Sequence, residues 1–240
     1  MRIEVLGVPL DDFTLAEILE RVKNGERLFQ VFVNVHKLVL FHKDKRLSST
    51  LNVKEAVFSV DGRWVQFLAR LKGFFPKGRF GGQEIVNQCF SIAGERGYKI
   101  YLLGAEKSVL EKAKEVLRNN FPDVHIAGAR DGFFDSEEEV IEDISRKQPD
   151  ILFLALPSPR KELLGYKIFE RVGSLKYVAG VGGAFDIIAG STHRAPEWIQ
   201  VIGFEWLWRV LQEPKRLFKR YFFDGLWLFW LIFKRAFRYD

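Results

Sequence analysis

The strongest constraint on the fold is a regular alternation of apolar runs with helical segments in the second half of the 240-residue chain. The runs "YKIYLLG" (98–104), "DILFLAL" (150–156) and "YVAG" (177–180) are almost wholly apolar, which is typical of strands that are buried on both faces. Between them, segments such as "EKSVLEKAKEVLRNNF" (106–121) place apolar residues at helical spacing. This alternation predicts an α/β fold, Rossmann-like, with a mostly parallel sheet and helices on both faces.

The first hundred residues show a looser form of the same pattern. "LFQVFVNVH" and "AVFSVDG" are predicted to be short strands, each followed by a helix, and "RIEVLGVPL" is predicted to be one opening strand before the first helix. No Pro/Ser-rich linker, repeat or low-complexity run divides the chain. We therefore predict a single α/β domain over residues 1–200 and a helical appendage over 201–240.

The appendage is basic and aromatic. The whole chain carries a net charge of +6, and residues 201–240 hold eight Lys/Arg, four acidic residues and 13 of the 35 aromatic residues. Its longest wholly apolar run, Leu226–Phe233, has eight residues, whereas a helix needs about 20 to cross a bilayer. A transmembrane anchor is thereby excluded as an interpretation of this run.

Two environments are predicted along the appendage. The segment 198–212 is apolar enough to pack on the sheet as core. From about residue 215 the basic positions 215, 216, 219 and 220 oppose the apolar positions 217, 218, 221 and 222 on a helix. That arrangement favours the interface of an anionic membrane over core packing, with rings at headgroup depth and cations outside. A nucleic-acid partner ranks well below, since no known nucleic-acid-binding module is recognisable.

Several other classes of function lack support in the sequence. The N-terminus reaches Asp11 and Asp12 before any long apolar run, unlike a secretory signal, so we expect a cytoplasmic location. The single cysteine, Cys89, lies among apolar residues and is predicted to be buried. The four histidines have no ligand spacing, and there is neither a D-x-D motif nor a Walker A motif, so neither a metal nor a cofactor is expected.

Polar and glycine residues follow the predicted strands. Ligands of open parallel sheets bind beyond the carboxyl ends of the strands, and those positions hold Asn34, His36, Asp61, Gly104, the segment 157–162 ("PSPRKE", with Lys161 and Glu162) and the segment 180–186 ("GVGGAFD", with Gly182 and Gly183). Each could be an ordinary turn residue. Their accumulation at one edge favours a binding site, where glycines let backbone N–H groups approach a diphosphate.

Asp61 is the main candidate for acid–base chemistry. It follows an apolar strand and precedes a helix that begins with "GRW". A carboxylate partly withdrawn from water there can accept a proton from a hydroxyl group. The alternative is an N-cap of the following helix, and the spacing does not decide between the two.

The motifs together resemble a known family. "VDGRWV", "GRFGGQE", "GVGGAFDIIAGSTHRAPEW" and "EWLWRVLQEPKRLFKRY" are similar to the WecG/TagA/CpsF family of bacterial glycosyltransferases, over residues 2–221. The resemblance implies inverting, metal-independent transfer of a sugar, often N-acetylmannosamine, from a UDP-sugar to an undecaprenyl-diphosphate-linked sugar. The expected location is the inner face of the cell membrane, with products used in teichoic acid or other cell-surface polysaccharides. A homo-oligomer is left open.

The resemblance also implies roles for individual residues. Asp61 matches the family's proposed catalytic base, Asn34 its active-site asparagine, and Arg79 the arginine of an R-x-x-G segment. Asn34 and Arg79 are thereby candidates for binding the donor. Further candidates for the same role are Gly104, Lys161, Glu162, Gly182 and Gly183. Arg209, Arg216 and Arg220 match a basic tail that closes over the site, and are assigned to the acceptor diphosphate and the membrane.

The chain departs from the family at three positions. Phe32 replaces a threonine, and "PSPRKE" replaces "GxPKQE", so that Pro157 stands for glycine and Lys161 for glutamine. A lysine places a charge where glutamine only hydrogen-bonds. Two alternatives therefore remain open: a family member with a different nucleotide-sugar donor, and a non-catalytic membrane-bound scaffold.

Overall fold

The computed structural model describes residues 2–47, 50 and 53–236 and contains a hairpin, a six-stranded sheet and helices around it. The strands are β1 (Arg2–Val5), β2 (Val8–Asp11), β3 (Leu28–Val33), β4 (Ala56–Val60), β5 (Ile100–Gly104), β6 (Ile126–Arg130), β7 (Ile151–Ala155) and β8 (Tyr177–Ala179). The described α-helices are α1 (Leu15–Lys23), α2 (Val35–Lys43), α3 (Arg63–Leu71), α4 (Gly82–Arg96), α5 (Lys107–Asn120), α6 (Glu137–Lys147), α7 (Arg160–Arg171), α8 (Ala184–Ile188), α9 (Glu197–Ile202), α10 (Glu205–Gln212) and α11 (Pro214–Ala236).

The six-stranded sheet is parallel throughout and has the order β4-β3-β8-β7-β5-β6. Alternate residues of β3 enter different cores: Phe29 and Val31 face a core that contains α2, α3, α6 and α7, whereas Leu28 and Phe32 face one that contains α1, α4, α5 and α8. This follows from the two-residue period of a strand. The predicted α/β fold with helices on both faces is confirmed. Cys89 is buried in α4, as predicted, and burial raises the pKa of its thiol.

The opening segment differs from the prediction. "RIEVLGVPL" is an antiparallel hairpin, β1 and β2, and it turns at Leu6 and Gly7, whose φ angles are 49° and 76°. A two-residue turn with two positive φ angles matches the right-handed twist of antiparallel strands. Asp11 links the hairpin to β4, because its carboxylate accepts a hydrogen bond from the backbone N–H of Phe58 at 2.9 Å.

The last helix, α11, packs along α2. Asp224 is buried and pairs with His36 at 2.6 Å between Oδ2 and Nδ1, and the Lys43 ammonium lies 4.7 Å from the ring centroid of Trp227. Leu217 and Leu231 are buried beneath the helix. The outward side leaves large apolar residues exposed: Phe218, Phe222, Phe223, Leu226, Phe229, Trp230, Ile232 and Phe233. Among the described residues, no helix combines the length and the apolar character needed to cross a bilayer.

The prediction for residues 198–212 was wrong. Helices α9 and α10 bury Ile199 and Val210, but Trp198, Val201 and Leu211 are exposed. Both helices are short, and each buries a single side chain. The segment does not bury its aromatic residues as a core helix would.

Candidate active site

The candidate site lies at the carboxyl edge of four neighbouring strands, β4, β3, β8 and β7. Asp61 follows β4, Asn34 follows β3, the glycine turn 180–183 follows β8, and the segment 157–162 follows β7. Because the strands are parallel, all four connections emerge on the same side of the sheet. Residues far apart in the sequence thereby come together.

The side chains of Asn34 and Asp61 are hydrogen-bonded to each other. The Asn34 side chain caps α2, since its Oδ1 accepts a hydrogen bond from the backbone N–H of Lys37 at 3.1 Å. The cap directs Nδ2 toward Asp61, which accepts through Oδ2 at 3.3 Å. The backbone N–H of Asp61 donates to the carbonyl of Val33 at 2.9 Å. The half-buried carboxylate is therefore held by both strands of the β3–β4 pair.

Asp61 is not the N-cap of the next helix. Gly62 occupies the N-cap position of α3 with a φ of 96°, and no side chain caps the helix. A positive φ of this size is accessible to glycine at little cost. The glycine turns the chain away from Asp61 and leaves the carboxylate at the sheet edge, so the capping alternative does not apply.

The "GRFGGQE" motif brings the N-terminus of α4 to the same place. A Cβ atom added to Gly81 would lie 4.0 Å from Asp61 Oδ1, and one added to Gly82 would lie 2.5 Å from the carbonyl oxygen of Val181. Only glycine permits the second approach. The Glu84 carboxylate accepts a hydrogen bond from the backbone N–H of Gly81 at 2.8 Å. The start of α4 thus lies between Asp61 and the glycine turn.

A buried ion pair lies beneath the site. The ammonium of Lys37 contacts Glu162 at 2.5 Å, and their side chains are only 2% and 4% exposed. Ser158 donates to the same oxygen of Glu162, Oε1, at 3.2 Å. The other oxygen, Oε2, is buried and has no hydrogen-bond partner among the described residues. A buried acceptor without a partner is costly, so Oε2 is available to a ligand or a water molecule.

Lys161 lies between this pair and the glycine turn. Its methylene groups would lie 3.1–3.4 Å from a Cβ atom on Gly180, and its Nζ would lie 3.2 Å from one on Gly182, where φ is 56°. Burial, and then the ammonium of Lys37, lower the pKa of Lys161 to about 7, although Glu162 and Asp61 act in the opposite direction. The group is therefore poised to gain a proton when an anion arrives.

Arg209 lies against the glycine turn, and Arg79 is linked to it through Glu205. Glu205 lies 3.8 Å from Arg79 and 3.9 Å from Arg209. The nearest guanidinium nitrogen of Arg209, Nη1, would lie 3.8 Å from a Cβ atom on Gly183. Helix α10 thus delivers one predicted tail residue, Arg209, to the glycine turn. Lys161 and Arg209 thus form a cationic border at residues 180–183, and one carboxylate oxygen, Asp186 Oδ2, would lie 3.5 Å from a Cβ atom on Gly183.

Three further residues were predicted for the site: Gly104, Arg216 and Arg220. A Cβ atom on Gly104 would meet the carbonyl oxygen of Ala155 at 2.5 Å, so the close packing of β5 on β7 is sufficient to explain this glycine. Arg220 lies with its guanidinium 5.2 Å from the ring centroid of Tyr221, and its Nε is buried without a hydrogen-bond partner among the described residues. The side chain of Arg216 lies outside the described part of the chain.

Lys37 is a site residue that the sequence analysis missed. The available signal was its position three and four residues before Leu40 and Phe41, which puts a charged residue on an apolar side of α2. That pattern does not reveal the partner, Glu162, which comes 125 positions later (162 − 37). In the described part of the chain, no group of three or more His, Cys, Asp or Glu side chains is placed to hold a metal ion.

Comparison with known proteins connects this geometry to a family. The model of the Glycosyl transferase WecG/TagA/CpsF family matches residues 3–240. An N-acetylglucosaminyldiphosphoundecaprenol N-acetyl-beta-D-mannosaminyltransferase of Bacillus subtilis is 30% identical over 205 residues, covering 83% of this chain and 78% of the relative. A protein of the same name from Bacillus spizizenii is 30% identical over 156 residues, covering 65% of this chain and 60% of the relative.

Proposed function

Because this chain belongs to the WecG/TagA/CpsF family of glycosyl transferases, we propose that it transfers N-acetylmannosamine or a related hexosamine from a UDP-sugar to a polyprenyl-diphosphate-linked sugar. The names of the Bacillus relatives support this donor sugar and acceptor. The observation that carries the proposal is the pairing of Asn34 with Asp61 beside a glycine turn bordered by cations. The products would serve teichoic acid or other cell-surface polysaccharide synthesis.

The glycine turn and its border suit a diphosphate. Gly180, Gly182 and Gly183 carry no side chains, so a phosphate group can approach the backbone closely. Lys161 and Arg209 lie against the turn, and Arg79 reaches the same border through Glu205. We propose that these three cations stabilise the charge that grows on the departing UDP, in place of a metal ion.

The proposed reaction is a single displacement with inversion. An acceptor hydroxyl oxygen attacks the anomeric carbon, a new C–O bond forms, and the bond from that carbon to the diphosphate oxygen breaks with its electron pair leaving on UDP. The hydroxyl proton passes to Asp61. Since Asn34 occupies Oδ2, the proton is received at Oδ1, the oxygen that faces Gly81.

The acceptor's lipid places the reaction at a membrane. Helix α11 leaves a row of exposed rings, including Phe218, Phe222 and Phe229, near the exposed cations Lys215 and Lys219. Rings and cations on one exposed helix suit the headgroup region of an anionic bilayer. We propose that the protein associates peripherally with the inner face of the cell membrane through this helix.

The decisive experiment measures transfer with the purified full chain. UDP-N-acetylmannosamine is supplied with a short-chain lipid-diphosphate N-acetylglucosamine, and other UDP- and GDP-sugars are compared. We expect Asp61→Asn to retain UDP binding and to lower turnover roughly a hundredfold or more. Asp123→Asn is the control, since Asp123 is exposed and precedes β6 at the opposite edge of the sheet. Near-normal turnover of Asp61→Asn would exclude Asp61 as the base.

The same assay decides between the alternatives. Lys161, which stands where the family resemblance implies glutamine, favours a different donor as the second candidate, because its charge suits an acidic sugar or a further phosphate. Preference for another nucleotide-sugar would establish that candidate. Binding of UDP without transfer from any donor would support the non-catalytic scaffold.

A further inference from the structure

Helix α3 has an exposed apolar face that core packing does not explain. Trp64, Phe67 and Leu71 are 53%, 51% and 69% exposed. At 100° per residue these three side chains fall within an arc of about 60°. The helix meets the core through a different side, on which Val65 and Leu68 are buried. An exposed face of an ordinary surface helix would be polar.

A second exposed apolar face lies on α9, which touches the start of α3. Trp198, Val201 and Ile202 are exposed at positions i, i+3 and i+4, so they share one side of the helix. The Nε of Arg63 donates to the carbonyl of Gln200 at 3.3 Å, and the same arginine packs against Gly203. We call the two sets together the α3–α9 face: Trp64, Phe67, Leu71, Trp198, Val201 and Ile202.

The α3–α9 face begins beside the candidate base. Only Gly62 and Arg63 separate Asp61 from Trp64, and the positive φ of Gly62 directs the chain straight from the sheet edge into α3. The exposed rings of α3 therefore begin three residues after the candidate base. The C-terminal helix α11 is a separate element, packed on α2.

The charge around the face identifies its occupant. Residues 62–83, which include α3, contain five basic residues, Arg63, Arg70, Lys72, Lys77 and Arg79, and no Asp or Glu. Lys77 and Arg79 pair with Glu17 and Glu205, and α9 adds one exposed acid, Glu197, so the remaining excess of positive charge comes from Arg63, Arg70 and Lys72. Tryptophan and phenylalanine flanked by such cations suit anionic headgroups and the adjoining acyl boundary. A second copy bound through the same face would bring two basic segments together, which favours a lipid surface over self-association.

We propose that the α3–α9 face docks on an anionic bilayer, so that the membrane contact extends beyond α11 and holds Asp61 at headgroup level. This inference rests on the proposed function, because that function requires an acceptor anchored in lipid. Docking through α3 shortens the path from the lipid-linked sugar to the base. It also gives the enzyme two separate attachments, which together fix its orientation on the membrane.

The test compares the full chain with the triple variant Trp64→Ser, Phe67→Ser and Leu71→Ser. Co-sedimentation is measured with phosphatidylcholine vesicles, with and without phosphatidylglycerol. Transfer is measured to a long-chain acceptor in the same vesicles and to a short-chain acceptor in solution. Phe133→Ser is the control, since Phe133 is an exposed ring in the loop after β6. Circular dichroism checks that all variants are folded.

We expect the triple variant to bind anionic vesicles roughly tenfold or more weakly and to lose long-chain transfer in proportion, with short-chain transfer unchanged. Unchanged vesicle binding would overturn the inference. An equal loss of short-chain transfer would also overturn it, because the face would then belong to the catalytic site. The inference would fail as well if analytical ultracentrifugation showed a wild-type dimer that the triple variant does not form. If the wild type transferred sugar to neither acceptor, the proposed function would be contradicted. The vesicle binding of the triple variant would still decide whether the α3–α9 face docks on the membrane.

Discussion

Asn34 donates its side-chain amide to the carboxylate of Asp61 at 3.3 Å, across the ends of the neighbouring strands β3 and β4. The same asparagine caps α2 through its other side-chain atom, Oδ1. One residue therefore has two separable tasks, to stabilise a helix start and to orient the proposed base. Substitutions can distinguish these tasks, because serine caps helices well but has no amide to reach Asp61.

We expect Asn34→Ser to fold with near-normal stability, and Asn34→Ala to lose about 1 kcal/mol of the free energy of unfolding. Both should lower turnover by about tenfold or more, since neither retains the donor to Asp61. Urea denaturation and the transfer assay measure the two effects. If Asn34→Ser restored both stability and turnover, the contact with Asp61 would have no part in the reaction.

Lys161 should make donor binding depend on pH. Its pKa in the folded protein is lowered to about 7, so the side chain is mainly protonated below that pH and mainly neutral above it. The diphosphate of a UDP-sugar keeps its charge over this range and prefers the charged lysine. We expect the affinity measured by calorimetry to fall by about tenfold from pH 6 to pH 9. Lys161→Gln, which removes the titratable group, should show little pH dependence. An equal slope in both proteins would refute the role of Lys161.

The buried pair of Lys37 and Glu162 should matter for stability. Removing one partner leaves an uncompensated charge in the core, so Lys37→Met should reduce the free energy of unfolding by about 3–5 kcal/mol. The double variant Lys37→Met with Glu162→Leu should be less destabilised than the single one, because neither member of the pair is left without the other. Denaturant unfolding of the proteins forms a double-mutant cycle. Additive losses would mean that the two side chains do not depend on each other.

Charge reversal on α11 should weaken membrane attachment without unfolding the helix. Lys215 and Lys219 are exposed, and each basic residue near an anionic surface contributes about 1 kcal/mol. We expect Lys215→Glu with Lys219→Glu to bind anionic vesicles at least about tenfold more weakly, with short-chain transfer retained. The matched control is Lys107→Glu with Lys112→Glu, since these lysines are exposed on α5. Equal losses in both pairs would indicate only a change in net charge.

Point substitutions on α11 are preferable to deleting the helix. Truncation after Glu213 would remove Leu217 and Leu231 from their buried positions and would leave His36 without Asp224. Loss of activity in such a truncation would mix two causes, the uncovering of α2 and the loss of membrane contact. The exposed lysines avoid this because they take no part in the packing on α2.

Much of the sheet was predictable from sequence, because the pattern of a buried strand is local. "YKIYLLG" and "DILFLAL" became β5 and β7, and the parallel order brought the residues after each strand to one edge. The adjacency of Asn34 and Asp61 follows from that edge, since β3 and β4 are neighbours. The hairpin was missed because Leu6 takes a positive φ that its residue type does not signal.

The sequence alone was sufficient to establish the alternation of strands and helices, the sheet edge that carries the candidate base and the family, since each depends on short patterns along the chain. Only the tertiary structure paired Lys37 with Glu162, packed Gly104 closely against Ala155 and left Trp64 and Trp198 exposed. The physical reason is that periodicity shows which side of a helix is apolar but not what lies against it. The partner of a buried charge, or the absence of a cover over an aromatic ring, depends on residues distant in the chain.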